Sequence, residues 1–321
     1  MKIVVTYKVF PEERNIYTEF PHPETEFIFL KDIDAAKRVD VFKTAEILLT
    51  WIFSRELNEK EINFLGNIRF AQLLTAGYDH LNLDLFPPSC IIASNQGAYA
   101  EPMAEHTVAM ILALSKRLLI NHRKMMNGEF DQRTPAMTLK NSVCGIIGFG
   151  SIGKAVANLL KYFGVNIFAI NTSGRTNEEV EFIGTLKDLD YVLKNSDVVL
   201  LSIPLDNLTR DLFGRRELEI MKPNAILINV ARGAIIKEKD LYEHLKTHSD
   251  FMAGLDAWWK EPFHSGEFKL SFPFFDLPNV LGSPHNSAII PGALFEGQKR
   301  ALENIGKFLS GKEIKGIIRR S

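Results

Sequence analysis

Three stretches in the second half of the chain each carry polar residues at the end of an apolar run. They are Arg232 in "AILINVARGAI", Asp256 and Glu261 in "GLDAWWKEPF", and His285 in "NVLGSPHNSA". In an open parallel sheet, ligands sit beyond the carboxyl ends of the strands, which is where such residues fall. An arginine there is a permanently charged planar fork suited to a carboxylate or phosphate. A histidine beside a carboxylate is a proton donor and acceptor whose charged form the carboxylate favours. Anion capture joined to acid-base work is the chemistry on offer. Taken singly, each residue also has a plain structural reading: Arg232 as a surface ion pair, Glu261 as a solvated loop charge, His285 as a hydrogen-bonded histidine beside Pro284.

A second signature lies upstream. "CGIIGFGSIGKAVANLLKYFG" holds Gly148, Gly150 and Gly153 as G-x-G-x-x-G between an apolar strand and an amphipathic helix. The first glycine permits the tight turn, the second lets a pyrophosphate approach the backbone, and the third lets helix and strand pack closely. The amides at the helix N-terminus then face the phosphates. The spacing alone is a weak signal, but the strand before it, the helix after it and the second strand ending at Asn171 supply the context of a dinucleotide site. A chain that takes NAD usually ends that second strand with an acid for the ribose hydroxyls. Here the residues are Asn171, Thr172, Ser173, Gly174 and Arg175. No carboxylate repels a 2′-phosphate, two hydroxyls can donate to it, and Arg175 can pair with it. NADP(H) is therefore expected in preference to NAD(H). Lys154, at the start of the nucleotide helix, reads as a solvated charge that could also lie near phosphate.

The elements that must position these groups follow from apolar periodicity. "KIVVTY", "FIFL", "AEILLTW" and "FAQLLTAG" are strand candidates separated by polar or helical segments, an α/β pattern. From Glu101 to Gly128 the spacing predicts one long helix, with Pro102 tolerated in its first turn, Gly128 suited to its end, and Met125 and Met126 as packing residues. Its apolar residues cover much of the circumference, so burial between domains or subunits is expected. "SVCGIIGFG", "NIFAIN", "SDVVLLSIP", "AILINVA", "FMAGLDAW" and "NVLGSPH" are six further strands in order, and runs such as "DVVLLSI" fit a parallel sheet covered on both faces. A last helix, roughly Pro291 to Leu309, returns to the first domain, with the chain crossing between domains near Gly97 and Ala288.

Composition narrows the class. The 321 residues are 46% hydrophobic and 24% charged, with a net charge of -1, the balance of a globular protein and no footprint for nucleic acid or an anionic membrane. The N-terminal apolar run ends too soon for a signal peptide, no long apolar segment follows, and a cytoplasmic protein is expected. The two cysteines, Cys90 and Cys144, lack metal-ligand spacing and read as small buried thiols; no metal is expected.

From "TAGYDHL" through "AEHTVAMILAL", "LKNSVCGIIGFGSIGKAVA", "IPLDNLTRDLF", "INVARGAII", "GLDAWWKEP" and "NVLGSPH", the chain resembles the D-isomer-specific 2-hydroxyacid dehydrogenase family, most closely its glyoxylate and hydroxypyruvate reductase group. The first seventy or so residues show only the α/β pattern. The resemblance implies a Rossmann-type doubly wound parallel sheet for the cofactor over residues 97-288, inserted in a smaller flavodoxin-like α/β substrate domain formed by residues 1-96 and 289-321. It implies a catalytic trio: His285 as proton donor to a ketone oxygen, Glu261 orienting the imidazole and favouring its charged form, Arg232 gripping the 2-oxo acid carboxylate. Asp256 would accept from the nicotinamide carboxamide, and Ser151, Ile152, Pro204, Val230 and Ala231 would join the glycines along the dinucleotide. Ala76 and Gly77 would offer backbone amides to the substrate carboxylate.

The activity expected from this resemblance is D-specific hydride transfer between NADP(H) or NAD(H) and a small 2-oxo or 2-hydroxy acid, in a homodimer built on the Glu101-Gly128 helix. Corepressors in the same family supply an alternative, a dinucleotide-sensing binding protein, against which the retained trio speaks. Formate dehydrogenases, which carry Gln in place of Glu261, are argued against. His80, His106, His122 and His264 match no catalytic position and read as structural or surface residues, and Trp258 and Trp259 as packing.

Overall fold

A computed structural model describes residues 1-318, without the side chains of Phe263 and His264, so the expectation for His264 lies outside the described residues. The chain divides into two compact units, one of Met1-Tyr99 with Ile290-Ser321 and the other of Ala100-Ile289. Each is built on its own sheet.

In the first unit, strands β1 (Lys2-Val5), β2 (Glu26-Phe29), β3 (Ile47-Thr50), β4 (Phe70-Leu73) and β5 (Ile91-Ala93) run parallel in the order β5-β4-β3-β1-β2. This is the flavodoxin-like arrangement of a doubly wound sheet. Alternate residues of these strands feed two different cores. Val4, Leu48, Ala71, Leu73 and Ile92 join one, while Ile3, Val5, Ile47, Leu49, Phe70 and Ala93 join the other together with Ala301, Leu302 and Ile305 of the helix Ala293-Leu309. A sheet buried on both faces needs apolar residues at every position, which is why "ILL" and "IVV" read as continuous runs. Ile317-Ile318 adds a short antiparallel strand beside β5. Neither this strand nor β5 is among the four strands expected from sequence, because three-residue and two-residue segments show no periodicity to count.

The second unit has seven parallel strands: β6 (Val143-Ile147), β7 (Asn166-Ile170), β8 (Phe182-Gly184), β9 (Val198-Leu201), β10 (Ile226-Asn229), β11 (Met252-Leu255) and β12 (Val280-Gly282). Their order, β12-β11-β10-β9-β6-β7-β8, reverses direction at β6, the switch point of a Rossmann sheet. Six of the seven were legible; the edge strand β8 was not. Val199 and Leu201 point to one core, Val198 and Leu200 to the other, so this sheet too is covered on both faces.

The long helix departs from expectation. It is two helices, Ala100-Ser115 and Leu118-Met126, broken where Arg117 takes a left-handed conformation (φ 54°). The first buries Ala104, Val108, Met110, Ile111 and Leu114 against the sheet, approaching Gly254 so closely that a Cβ there would meet Leu114 and Met110 side-chain atoms at 3.2 Å. No residue of the second is fully buried within the chain, half-buried Ile120 packs against the same core, and Met125 and Met126, expected to pack, are 55% and 74% exposed in the single chain. No glycine or proline marks the break, since "SKRLL" continues the helical composition without interruption.

Candidate active site

One register row explains why residues far apart in sequence meet. Across the second sheet, Ile170, Ile147, Leu201, Asn229, Leu255 and Gly282 stand side by side as the last paired residues of β7, β6, β9, β10, β11 and β12. The next residue of each strand is Asn171, Gly148, Ser202, Val230, Asp256 and Ser283. Every loop singled out by its chemistry therefore leaves the sheet along the same edge, the edge where parallel α/β sheets hold ligands.

The glycine turn fits a dinucleotide on steric grounds. Gly148 has φ 104°, and a Cβ there would lie 2.6 Å from backbone atoms of Ser202 and Ile203, so the turn needs glycine twice over. At Gly153 a Cβ would meet the Gly148 carbonyl oxygen at 2.6 Å and Ile146 at 2.9 Å, which is the close helix-to-strand approach. At Gly150 a Cβ would meet nothing within 4 Å, leaving that flank open. The helix Ser151-Lys161 begins there without any side chain capping its N-terminus, so the amides of Ser151, Ile152 and Gly153 are available to an anion. Val230 and Ala231 are buried at the head of β10, and Pro204, exposed, accepts a hydrogen bond from the Thr209 hydroxyl at its carbonyl, 2.7 Å.

Past β7, Asn171 is more occupied than its position suggests. Its Oδ1 accepts from the amides of Ser173 (3.0 Å) and Gly174 (2.7 Å), and its Nδ2 donates to the Arg175 carbonyl (2.8 Å). The amide thus shapes the turn rather than reaching outward, and Gly174, with φ 64°, lets the turn close. Thr172, Ser173 and Arg175 are exposed. Lys154 pairs with Glu178 at 3.4 Å.

His285 and Glu261 are in contact. Nδ1 of His285 lies 2.8 Å from Oε2 of Glu261, while the Trp258 amide donates to Glu261 Oε1 at 2.7 Å. An ionised carboxylate only accepts, so Nδ1 carries the proton in this bond and Nε2 is left as the nitrogen that can exchange one. Burial opposes ionisation of Glu261, which is 7% exposed, but the His285 hydrogen bond and charge, the Trp258 amide and Arg232 outweigh it and hold its carboxyl below the usual range. His285 sits at φ 51°, a left-handed conformation uncommon for a residue with a Cβ.

Arg232 follows β10. Fully buried Asn229 holds its backbone from two sides, donating to the Arg232 carbonyl (2.9 Å) and accepting from the Ala231 amide (3.0 Å). The next residue, Gly233, packs so tightly on Trp258 that a Cβ would meet the Trp258 carbonyl carbon at 2.2 Å. The loop carrying Arg232 and the segment carrying Glu261 are therefore in direct backbone contact.

Asp256 is fully buried. Its Oδ1 accepts from the Ser283 hydroxyl (2.6 Å) and the Asn286 amide (3.1 Å), its Oδ2 from the Ser287 amide (3.2 Å). Burial opposes its ionisation, and the hydrogen bonds from Ser283, Ser287 and Asn286 with nearby His106 prevail, keeping the carboxyl below its ordinary range.

Asn229, Ser283 and His106 were not among the expected site residues. The only available signals were a polar residue closing the apolar run "AILIN" and a serine before Pro284; His106 was read as structural. Trp258 is buried as expected, its indole donating to the Ser283 carbonyl at 2.8 Å. In the first unit, Ala76 and Gly77 lie just beyond β4, both half-buried, where the Thr75 hydroxyl donates to the Gly77 carbonyl at 2.8 Å. Cys144 is fully buried in β6, and burial pushes its thiol up to about 12, which leaves it inert.

A phosphate turn at the switch point of a Rossmann sheet, sharing its strand-end edge with a histidine-carboxylate pair, defines a nicotinamide-dinucleotide-dependent oxidoreductase. Residues 108-287 match the family model described as D-isomer specific 2-hydroxyacid dehydrogenase, NAD binding domain. Among curated relatives, a glyoxylate reductase from Thermococcus gammatolerans is 29% identical over 95% of this chain and 87% of its own. A glyoxylate/hydroxypyruvate reductase B from Pectobacterium carotovorum is 32% identical over 76% of this chain and 77% of its own. The crystal structure of a D-isomer specific 2-hydroxyacid dehydrogenase family protein from Aeromonas salmonicida is similar in fold, with TM-score 0.80 at 24% identity, covering 99% of this chain and 98% of that one. The chain belongs to the D-isomer-specific 2-hydroxyacid dehydrogenase family. It is an NAD(P)-dependent enzyme that transfers a hydride between the dinucleotide and a small 2-oxo acid.

Proposed function

We propose that the chain reduces glyoxylate, hydroxypyruvate or a 2-oxo acid of similar size to the D-2-hydroxy acid, with NADPH preferred to NADH. The observation that carries this reading is the 2.8 Å bond between His285 Nδ1 and Glu261, which sets the imidazole to deliver a proton from Nε2. The same bond weighs against a dinucleotide sensor without turnover, for which a poised acid-base pair has no use. The bound dinucleotide supplies the hydride. Arg232 grips the substrate carboxylate and polarises the adjacent carbonyl, and His285 protonates the oxygen as negative charge develops on it, with Glu261 stabilising the charged imidazole. Residues 97-288 act as the dinucleotide domain, and residues 1-96 with 289-321 as the substrate domain, where the amides of Ala76 and Gly77 bind the carboxylate.

Support for the NADPH preference is the absence of a carboxylate from residues 171-175, together with exposed Thr172, Ser173 and Arg175. A homodimer is part of the same proposal, supported by the apolar face of Leu118-Met126 that the chain leaves uncovered. Steady-state assays with glyoxylate, hydroxypyruvate, pyruvate and phenylpyruvate, each with NADH and NADPH, test the reading, and chiral analysis of the product tests its handedness. Highest kcat/KM for glyoxylate or hydroxypyruvate with NADPH is expected. A clear preference for phenylpyruvate, or for NADH, would overturn that part.

A further inference from the structure

A bracket of three side chains, unused by the mechanism above, holds the loop that carries His285. Buried Asp256 accepts from the Ser283 hydroxyl at 2.6 Å, the Asn286 amide at 3.1 Å and the Ser287 amide at 3.2 Å, so its contacts fall on both sides of His285. His106, on the helix Ala100-Ser115, places Nε2 3.0 Å from the Ser283 hydroxyl and 3.7 Å from Asp256 Oδ1. Ser283 has one hydroxyl hydrogen, and the carboxylate can only accept, so that hydrogen goes to Asp256. The oxygen of Ser283 then accepts from His106, whose Nε2 must carry a proton. Serine, histidine and aspartate also make up hydrolytic triads, but there the histidine takes the serine proton. Here the hydroxyl hydrogen points to the carboxylate instead, so the serine-to-histidine proton transfer of such a triad is absent.

The backbone shows what the bracket does. His285 has φ 51°, a conformation that persists in a residue with a Cβ only where the surroundings over-determine it. Trp258 joins the two halves of the pair, its amide holding Glu261 at 2.7 Å and its indole holding the Ser283 carbonyl at 2.8 Å. We propose that Ser283 is a positioning residue: bridging His106 to Asp256, it fixes residues 283-287 so that His285 keeps its left-handed turn and its Nδ1 stays on Glu261. This rests on the reading of His285 as proton donor.

The test compares Ser283→Ala, Ser283→Thr and His285→Ala with the parent enzyme for kcat, KM and NADPH affinity. A misplaced catalytic group costs on the order of a hundredfold in rate for about 1 Å. Ser283→Ala is expected to lose about ten- to a hundredfold in kcat with KM and NADPH affinity retained, and Ser283→Thr, which keeps the hydroxyl, to recover most of it. Parent-like kcat in Ser283→Ala, alongside an inactive His285→Ala, overturns the positioning role and leaves the proton donor standing. An active His285→Ala sinks the donor reading itself. If Ser283→Ala does not fold, His106→Gln and His106→Phe ask the same question on the helix: kcat kept by Gln and lost by Phe supports the bracket, and parent rates in both overturn it.

Discussion

At the scale of single residues, His285 and Glu261 form one hydrogen-bonded pair at 2.8 Å, and that bond helps keep the Glu261 carboxyl ionised. General acid-base catalysis is worth about 10² to 10⁴ in rate, so His285→Ala is expected to lose that much kcat while binding dinucleotide as the parent does. Stopped-flow turnover and fluorescence titration check the two halves separately. Glu261 makes a second prediction. Its carboxyl is held below the ordinary range of about 4.3, so ionised Glu261 adds stability at pH values above that range and loses it as the pH falls through the lowered folded value. The stability difference between the parent and Glu261→Gln should shrink as the pH falls below about 4. Urea unfolding across that acidic range decides it, and a difference that grows there would contradict the assignment. Arg175 carries a third: a charge-assisted contact contributes about 1.5 to 3 kcal/mol, so Arg175→Ala should weaken NADPH roughly ten- to a hundredfold and leave NADH nearly unchanged. Equal weakening of both cofactors would discard the 2′-phosphate role.

Elements explain why similar residues within one motif differ in consequence. Gly148 and Gly150 belong to the same six-residue pattern, yet a Cβ at the first collides with backbone at 2.6 Å and at the second meets open space. Gly148→Ala should therefore destabilise the fold, by at least the roughly 1 to 2 kcal/mol that a left-handed conformation costs a residue with a Cβ. Gly150, at φ -91°, accepts a side chain without backbone penalty, so Gly150→Ala should keep the parent melting temperature and lose dinucleotide affinity. Calorimetry and a binding titration on both variants separate structure from function within one turn; a destabilised Gly150→Ala would show that its flank is not open. The broken helix gives the complementary lesson. Its helical composition runs unbroken from Ala100 to Met126, but Arg117 turns the chain, and the second half keeps only partial contact with the core, through Ile120.

For the whole molecule, two sheets, each buried on both faces, account for the apolar balance of the sequence. Among the described residues no helix is long and apolar enough to cross a membrane. Among the exposed apolar side chains, Leu118, Met125, Met126 and Phe130 lie on or just after the helix Leu118-Met126, exposed by 57%, 55%, 74% and 72%. Surfaces of that kind on a folded protein mark contacts. Light scattering at micromolar concentration should give twice the 36.3 kDa chain mass, and Met126→Glu should return it toward the single-chain value. A monomeric parent would remove the dimer from the proposal.

The sequence by itself determined the features written in local order: G-x-G-x-x-G between a strand and a helix, long buried strands as unbroken apolar runs, and a polar residue just past each run. These depend on neighbours within a few positions, so spacing alone exposes them. It also marked Arg232, Glu261 and His285 without showing that they meet. Their meeting follows from register, because Leu201, Asn229, Leu255 and Gly282 align in one row only once the strands pair. The short strands β5 and β8, the turn at Arg117, the closing of Asn171 on its own loop and the enclosure of Asp256 by Ser283, Asn286 and Ser287 were settled by tertiary structure alone. Each is a matter of which donor, acceptor or apolar face lies opposite, often tens of residues away in sequence, and a hydrogen bond's partner is not encoded in the residue that makes it.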